Sequence, residues 1–314
     1  MPSQEANKSS APYWRPLVVE RAIYEFEPKF SKSESYVPDT IADGWETDNF
    51  LLRAACVRGY AHRFSGLPRQ DQIGLTAYHD GGEIMIAVAD GISEAPHSSV
   101  GAALACRYAT NWYRTRIEEG EYTDAAEWGE APWRDLLRNA AWGLIDYAHV
   151  NLGEEEDALL AERLLGTTLT VAIITPRSNG SADVHAVQVG DSDIWILRDR
   201  RYHAVTPHAL MQSNADTVTS TAVIGLPRLP TNLQLTHAEF HSGDVLLVGT
   251  DGFGAALGDG SGRIGEIFSS ELSTAPPPLR MAYTLDFSRE LFDDDRSLVA
   301  VWNKRSTDPP VRSQ

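Results

Sequence analysis

From about residue 51 the chain breaks into short apolar or alternating runs: LLRAACV, IGLTAY, EIMIAVAD, TTLTVAII, ADVHAVQVGD, DIWILRD, LQLTHAEF, DVLLVGTD and SLVAVW. Each is bounded by Gly, Asp, Asn or Pro, the pattern of buried or half-buried strands. Two stretches among them change period. Over 98–118, Val100, Leu104, Tyr108 and Trp112 recur at a spacing of four behind Ser98 and Ser99, both good N-cap residues. Over 133–150, Leu137, Ala141, Leu144 and Tyr147 repeat the pattern, so the two helices should pack together on one sheet face. A second helical pair is predicted at 262–272 and 277–291, divided by Pro276–Pro278. The fold class is α+β: a four-layer α-β-β-α sandwich, two central, mostly antiparallel sheets flanked by helix pairs.

Residues 51–303 are expected to form this one domain. Residues 1–50 read as an N-terminal extension, its first dozen residues frayed and its remainder laid over the core through Trp14, Tyr24, Phe26, Phe30 and Trp45. Residues 304–314 read as a disordered tail. No internal repeat is visible, and the acidic run Glu154–Asp157 suits a solvated loop.

Charge narrows the function. Lys and Arg total 27 against 44 Asp and Glu, a net charge of −17, so the average surface repels polyanions and nucleic acid is an unsuitable partner. The same acidity suits a site that gathers divalent cations. No run of about 18 apolar residues exists and the start has no secretion-signal pattern, so a cytoplasmic protein without a membrane span is expected. Cys56 and Cys106 stand in apolar surroundings outside any CxxC pair and read as reduced core residues. Trp112, Trp133 and Trp142 read as core packing.

Five aspartates fall where a strand begins or ends: Asp71, Asp90, Asp191, Asp251 and Asp294. Any one alone is an ordinary turn residue. If the strand ends converge, the five make an oxygen-rich cleft whose carboxylates repel unless something positive lies among them. Mg2+ and Mn2+ favour such oxygens, whereas no His or Cys cluster has zinc spacing, which disfavours zinc. Gly91, lacking a side chain, would let its carbonyl approach an ion closely.

Six stretches occur in an order that resembles the metal-dependent protein phosphatases of the 2C type, over roughly residues 52–303: VRGYAHRFSGLPRQD, matching the bacterial branch, then IAVADG, LLGTTLTVAII, VQVGDSDIWILRD, SGDVLLVGTDGF and DDDRSLVAV. The resemblance implies a centre of two Mn2+ or Mg2+ ions. Asp90 would bridge them, Asp71 and the Gly91 carbonyl would hold one side, and Asp251 with Asp294 the other. Asp191 would serve a weaker third ion. Asp294, rather than Asp293 or Asp295, follows from aligning DDRS with the family's D-[DN]-x-[TS]. The implied reaction is hydrolysis of phosphoserine or phosphothreonine in a protein, by attack of a metal-bridged water, opposing a Ser/Thr kinase. Thr167 and Thr168 would support the site, and His62 would order the opening loop.

The chain departs from the family in four places. Gly66 stands where many members place a phosphate-holding arginine, leaving Arg63 and Arg69 as the phosphate-binding candidates. Ile92 stands where some members have a histidine after Asp-Gly, and His97 nearby reads as a loop histidine. ISEAPHSS replaces the usual glycine pair, and Asp193 replaces a common arginine after Gly-Asp-Ser. The alternative reading is therefore a catalytically weak, phosphatase-like module that binds a phosphorylated or regulatory partner. Pro207–Pro230 lies where the family has a flap beside the substrate. His203, His208, His237 and His241 receive no role.

Overall fold

The computed structural model describes residues 16–31, 36–78, 82–120, 125–212 and 225–304. The expected frayed start, Trp14, the tail beyond residue 304, and residues 213–224 of the expected flap lie outside the described residues. Strands β1 (Thr40–Glu46), β2 (Phe50–Val57), β3 (Gln72–Tyr78), β4 (Glu83–Ala89), β5 (Leu169–Pro176), β6 (Ala182–Val189), β7 (Asp193–Arg198), β8 (Arg201–Ala204), β9 (Gln234–Phe240), β10 (Val245–Gly249) and β11 (Arg296–Asn303) form two sheets. One runs β1-β2-β11-β10-β7-β8 and the other β3-β4-β5-β6-β9, with every neighbouring pair antiparallel.

The sheets face each other across Phe50, Leu52, Val299 and Val301 on one side and Ile84, Ile86, Val88 and Ile174 on the other. Their alternate residues are buried too: Met85, Ala87 and Val171 meet the helices α2 (Ser98–Glu118), α3 (Glu130–Leu152) and α4 (Ala158–Leu165). On the opposite side Ala55, Leu247 and Ala300 meet α6 (Asp251–Leu257), α7 (Arg263–Glu271) and α8 (Pro278–Leu285). Covering both faces explains why EIMIAVA in β4 is apolar without alternation and buried at every position. Two short helices, α1 (Tyr60–Ser65) and α5 (Pro207–Gln212), lie in connections. The four-layer sandwich is as expected.

Several boundaries move. The first sheet begins inside the supposed extension, because β1 pairs with β2 from Thr40↔Val57 to Glu46↔Leu51. Its sequence, TIADGWE, has too few apolar positions to register as a strand. Helix α2 begins where expected, but His97 takes the N-cap and neither serine makes a capping bond. Its buried face centres on Ala102, Ala105 and Ala109, whereas Val100, Leu104 and Tyr108 are partly buried beside it. Small residues let the helix sit low on the sheet, where a β-carbon on Gly74 would lie 3.1 Å from Cys106 Cβ. Helix α4 follows the acidic loop and is capped by Asp157, which accepts from the Leu160 amide at 2.8 Å. Helix α8 stops at Leu285 instead of 291, and Trp142 is 57% exposed, resting edge-on against Tyr108 instead of in the core.

Candidate metal centre

Strand register brings the five aspartates to one edge of the sandwich. Gln72 pairs with Ala89, so Asp71, just before β3, and Asp90, just after β4, are neighbours. Gly249 pairs with both Leu298 and Asp193, which places Asp251, Asp294 and Asp191 at the corresponding end of the other sheet. Asp251 opens α6 directly after β10. The carboxyl of Asp90 faces those of Asp71 and Asp251, whose charges bear on it most after burial. Asp191 and Asp294 both act electrostatically on this group.

The scaffold behind the carboxylates is made of hydroxyls. Thr250 Oγ1 donates to Asp71 Oδ2 at 2.7 Å while accepting from the Ser297 amide. Thr167 Oγ1 donates to the Asp90 carbonyl at 2.9 Å, and Thr168 Oγ1 accepts from the Asp90 amide, also at 2.9 Å, while contacting Ser192 Oγ. Gly91 is buried, and a β-carbon there would lie 2.7 Å from Ser98 Cβ, so only glycine fits. Close approach also assembles the other side. A β-carbon on Gly252 would lie 1.9 Å from the Asp295 carbonyl oxygen, and one on Gly59 would lie 2.2 Å from the Asp294 carbonyl carbon.

Within the DDD run the three residues divide their tasks. Asp295 is 1% exposed and turns inward, accepting from the Gly59 and Gln70 amides at 2.6 and 2.5 Å and pairing with His62 Nδ1 at 2.9 Å. Asp293 is exposed, and its carbonyl accepts from the Ala61 amide. Asp294 accepts from the Asp295 amide and feels the Asp251 charge.

Electrostatics make this cluster unstable as a set of bare anions. Burial, then the charge of Asp295, raises Asp71 to about 8. Burial and the charge of Asp71 push Asp90 well above the usual carboxylate range, and burial with Asp191 raises Asp251. Loss of solvent around its carboxyl, then Asp251 and Asp295, raises Asp294 to about 6 although part of the residue stays open to solvent. Asp71 Oδ1 and Asp251 Oδ1 are buried without a hydrogen-bond partner. Buried carboxylate oxygens need a proton, a donor or a cation. An all-oxygen donor set with two orphaned oxygens fits a hard divalent ion such as Mn2+ or Mg2+.

The two arginine candidates do not reach this cleft. Arg69 is 1% exposed and donates backward to the Pro38 and Asp71 carbonyls and to Cys56 Sγ. Arg63 is consumed by Asp39 and Asp286, each at 2.7 Å. Both are structural, a correction that sequence proximity to Asp71 could not supply. Arg69→Ala is therefore expected to cost about 2–3 kcal/mol of stability by orphaning buried acceptors, read by denaturant unfolding, without a selective rise in KM. Gly66 ends α1 at φ +78°, with the Phe30 carbonyl 2.9 Å from where a β-carbon would stand, so an arginine has no place there. Ile92 packs its Cδ1 against Gly166 and Gly225, and His97 stands at the N-cap position of α2 without a side-chain capping bond.

One residue that sequence reading passed over lies close by. His208, on α5, places Nδ1 2.7 Å from Asp193 Oδ2. Asp193 is 1% exposed and is further fixed by Thr206 Oγ1 and the Ala209 amide. The hydrogen bond to Asp193 outweighs burial and raises the His208 pKa, with Asp191 and Asp251 adding to the effect. His208 acts to lower the pKa of Asp191 and Asp251, as His62 does for Asp294. The substitution of Asp193 for an arginine was the available signal, since a buried carboxylate calls for a partner. Cys56 and Cys106 are free and buried, and burial drives Cys56 up to about 12, which keeps it a thiol.

Among solved structures, serine/threonine phosphatase Stp1 from Staphylococcus aureus superposes with a TM-score of 0.55 at 16% identity, covering 83% of this chain and 96% of that one. The S. agalactiae serine/threonine phosphatase gives 0.52 at 18%, covering 85% and 98%. The catalytic domain of the phosphatase PstP, solved with two manganese ions, gives 0.52 at 16%, covering 82% and 99%. These likenesses establish the fold. No curated protein sequence matches the chain. A family profile, protein phosphatase 2C, matches residues 58–276, more than half of the chain and the span that carries Asp71, Asp90, Asp191 and Asp251. By that match and by its sandwich, the chain belongs to the protein phosphatase 2C family.

Proposed function

We propose that this protein is a divalent-metal-dependent phosphatase that hydrolyses phosphoserine and phosphothreonine in proteins. The observation that carries this reading is the aspartate cluster with its two orphaned buried oxygens. Asp71, Asp90, Asp251, Asp294 and the Gly91 carbonyl would hold two ions, Mn2+ or Mg2+, and Asp191 a third. Bound there, the ions lower the pKa of water and offset the charge of the phosphate. The residues themselves do the positioning. Thr250 and Thr168 keep Asp71 and Asp90 in register, and Asp295 with His62 anchors the loop that carries Asp294.

With the usual arginine absent, His208 supplies a positive group at the cleft. Its Nδ1 is fixed on Asp193, leaving Nε2 to donate a proton or hydrogen bond to an incoming phosphate ester. No helix among the described residues is long and apolar enough to cross a membrane. A phosphorylated protein partner, opposing a Ser/Thr kinase in the cytoplasm, completes the reading.

The test is hydrolysis of a phosphothreonine peptide with Mn2+, with Mg2+ and with excess chelator. Metal-dependent turnover is expected. His208→Ala should lower peptide turnover tenfold or more, and much less with p-nitrophenyl phosphate, whose leaving group needs no proton. An equal loss on both substrates would reduce His208 to a structural role. Gly66 and Ile92 favour a second reading, a binding module without catalysis. It takes precedence if calorimetry shows metal binding but the peptide survives.

A further inference from the structure

We propose that Asp183, His185 and His237 form a second metal site, for Zn2+, on the outer face of the second sheet and separate from the aspartate cluster. His185 on β6 and His237 on β9 are direct cross-strand partners. Asp183 precedes His185 by two residues, which puts it on the same face. Strand β9 is the edge of its sheet, so this face is reached from solvent.

Three donor atoms are gathered in one place. One ligand atom from each residue lies within 4.8 Å of the other two. Asp183 Oδ1 stands 2.9 Å from His237 Nε2, and the two imidazoles stack with centroids 4.6 Å apart. Zinc bonds of about 2.0–2.1 Å in a tetrahedron set ligand atoms roughly 3.4 Å apart, so one imidazole turns out of the stack about its side-chain torsions to bring its ring nitrogen onto the shared ion. Zinc replaces the proton shared by Asp183 and His237.

The surroundings suit a metal ligand. Asp183 is 6% exposed, and its second oxygen pairs with Arg177 Nε, which orients the carboxylate and keeps it ionised. Arg177 is itself steadied by Glu239, at 3.9 Å, whose Oε1 accepts from Ser181. The side chain of His237 is 52% exposed, giving an entry path and leaving the fourth coordination position to water. Two imidazoles and one carboxylate select zinc over Mg2+ and Mn2+, which favour all-oxygen sites. The two kinds of ion therefore sort themselves. His185 stands six positions before Asp191, the first four along β6, about 13 Å at strand rise before the chain turns at Gly190. The zinc would act as a clip, holding edge strand β9 onto β6 away from the chemistry.

The test uses the full chain saturated with Mg2+, so that the oxygen centre is filled, and titrates Zn2+ against a chromophoric chelator. One zinc per chain is expected, with Co2+ in its place giving a tetrahedral visible spectrum. His237→Ala, at a half-exposed position that leaves the fold intact, should weaken Zn2+ at least tenfold while leaving Mn2+-dependent hydrolysis unchanged. His185→Ala should do the same. Zinc binding unchanged in His237→Ala overturns the proposal, as does zinc binding lost in Asp90→Asn, or no saturable zinc in the Mg2+-loaded protein. Because the readout is zinc itself, failure here is distinct from failure of the phosphatase reading.

Discussion

Asp90→Asn is expected to lose at least a hundredfold in metal-dependent hydrolysis while making the metal-free protein more stable at pH 8. Asp90 is the carboxyl on which the charges of both Asp71 and Asp251 bear most after burial, so it is the member most able to span two ions. Groups that merely orient a ligand cost 10–100-fold when removed, so losing the spanning ligand should cost more. The same substitution removes one of the charges that burial and neighbours disfavour, while the amide keeps the shape and can donate to Asp71. A gain of about 1–3 kcal/mol in denaturant unfolding without metal is expected. Steady-state kinetics and unfolding on one preparation read both effects. Near-normal turnover would falsify the assignment of the aspartate cluster as the metal centre.

Divalent metal should stabilise the protein, and more so as pH rises. The folded pKa of Asp71, about 8, and of Asp294, about 6, lie above the ordinary carboxylate value near 4. The native state therefore binds these protons more tightly than the unfolded chain. Their contribution favours folding most below about pH 4 and is lost as pH climbs through 6 and then 8. A cation takes the place of the protons, so binding releases them and strengthens with pH. At about 100 times its Kd, Mn2+ adds about 2.7 kcal/mol, or about 5–10 °C in Tm for a domain of this size. Calorimetry in buffers of different ionisation enthalpy should show proton release. An equal Mn2+ effect at pH 6 and pH 8, with no protons released, would count against the cluster as the binding site.

The sequence shows the main strands, helices α2 and α3 and the five aspartates because each depends on local pattern: apolar runs, period four, or Asp-Gly at a strand end. Strand β1 is not legible in the sequence because TIADGWE is half polar and gains its place from pairing with β2. Helix α8 ends at Leu285, although 286–291 keeps an apolar rhythm with Phe287 buried after the helical backbone has stopped. Arg63 and Arg69 looked available for phosphate, since sequence says nothing about Asp39, Asp286 or the Pro38 carbonyl that occupy them. The histidines were opaque for the same reason. His208 finds its carboxylate 15 residues away, and His185 meets His237 only through strand register. Zinc spacing read along the chain cannot detect ligands that two strands bring together.

The position of β11 has a consequence for synthesis. The last strand of the described chain is inserted between β2 and β10, near the middle of its sheet, so the first part of the domain to leave the ribosome waits for nearly the last. Until residues 296–303 emerge, the two halves of that sheet have no common neighbour. Asp294 and Asp295 arrive with the same segment and bring the final carboxylate and the tether for His62. Sheet closure and the arrival of the last carboxylates are thus one event, and a nascent chain stopped short of β11 lacks both.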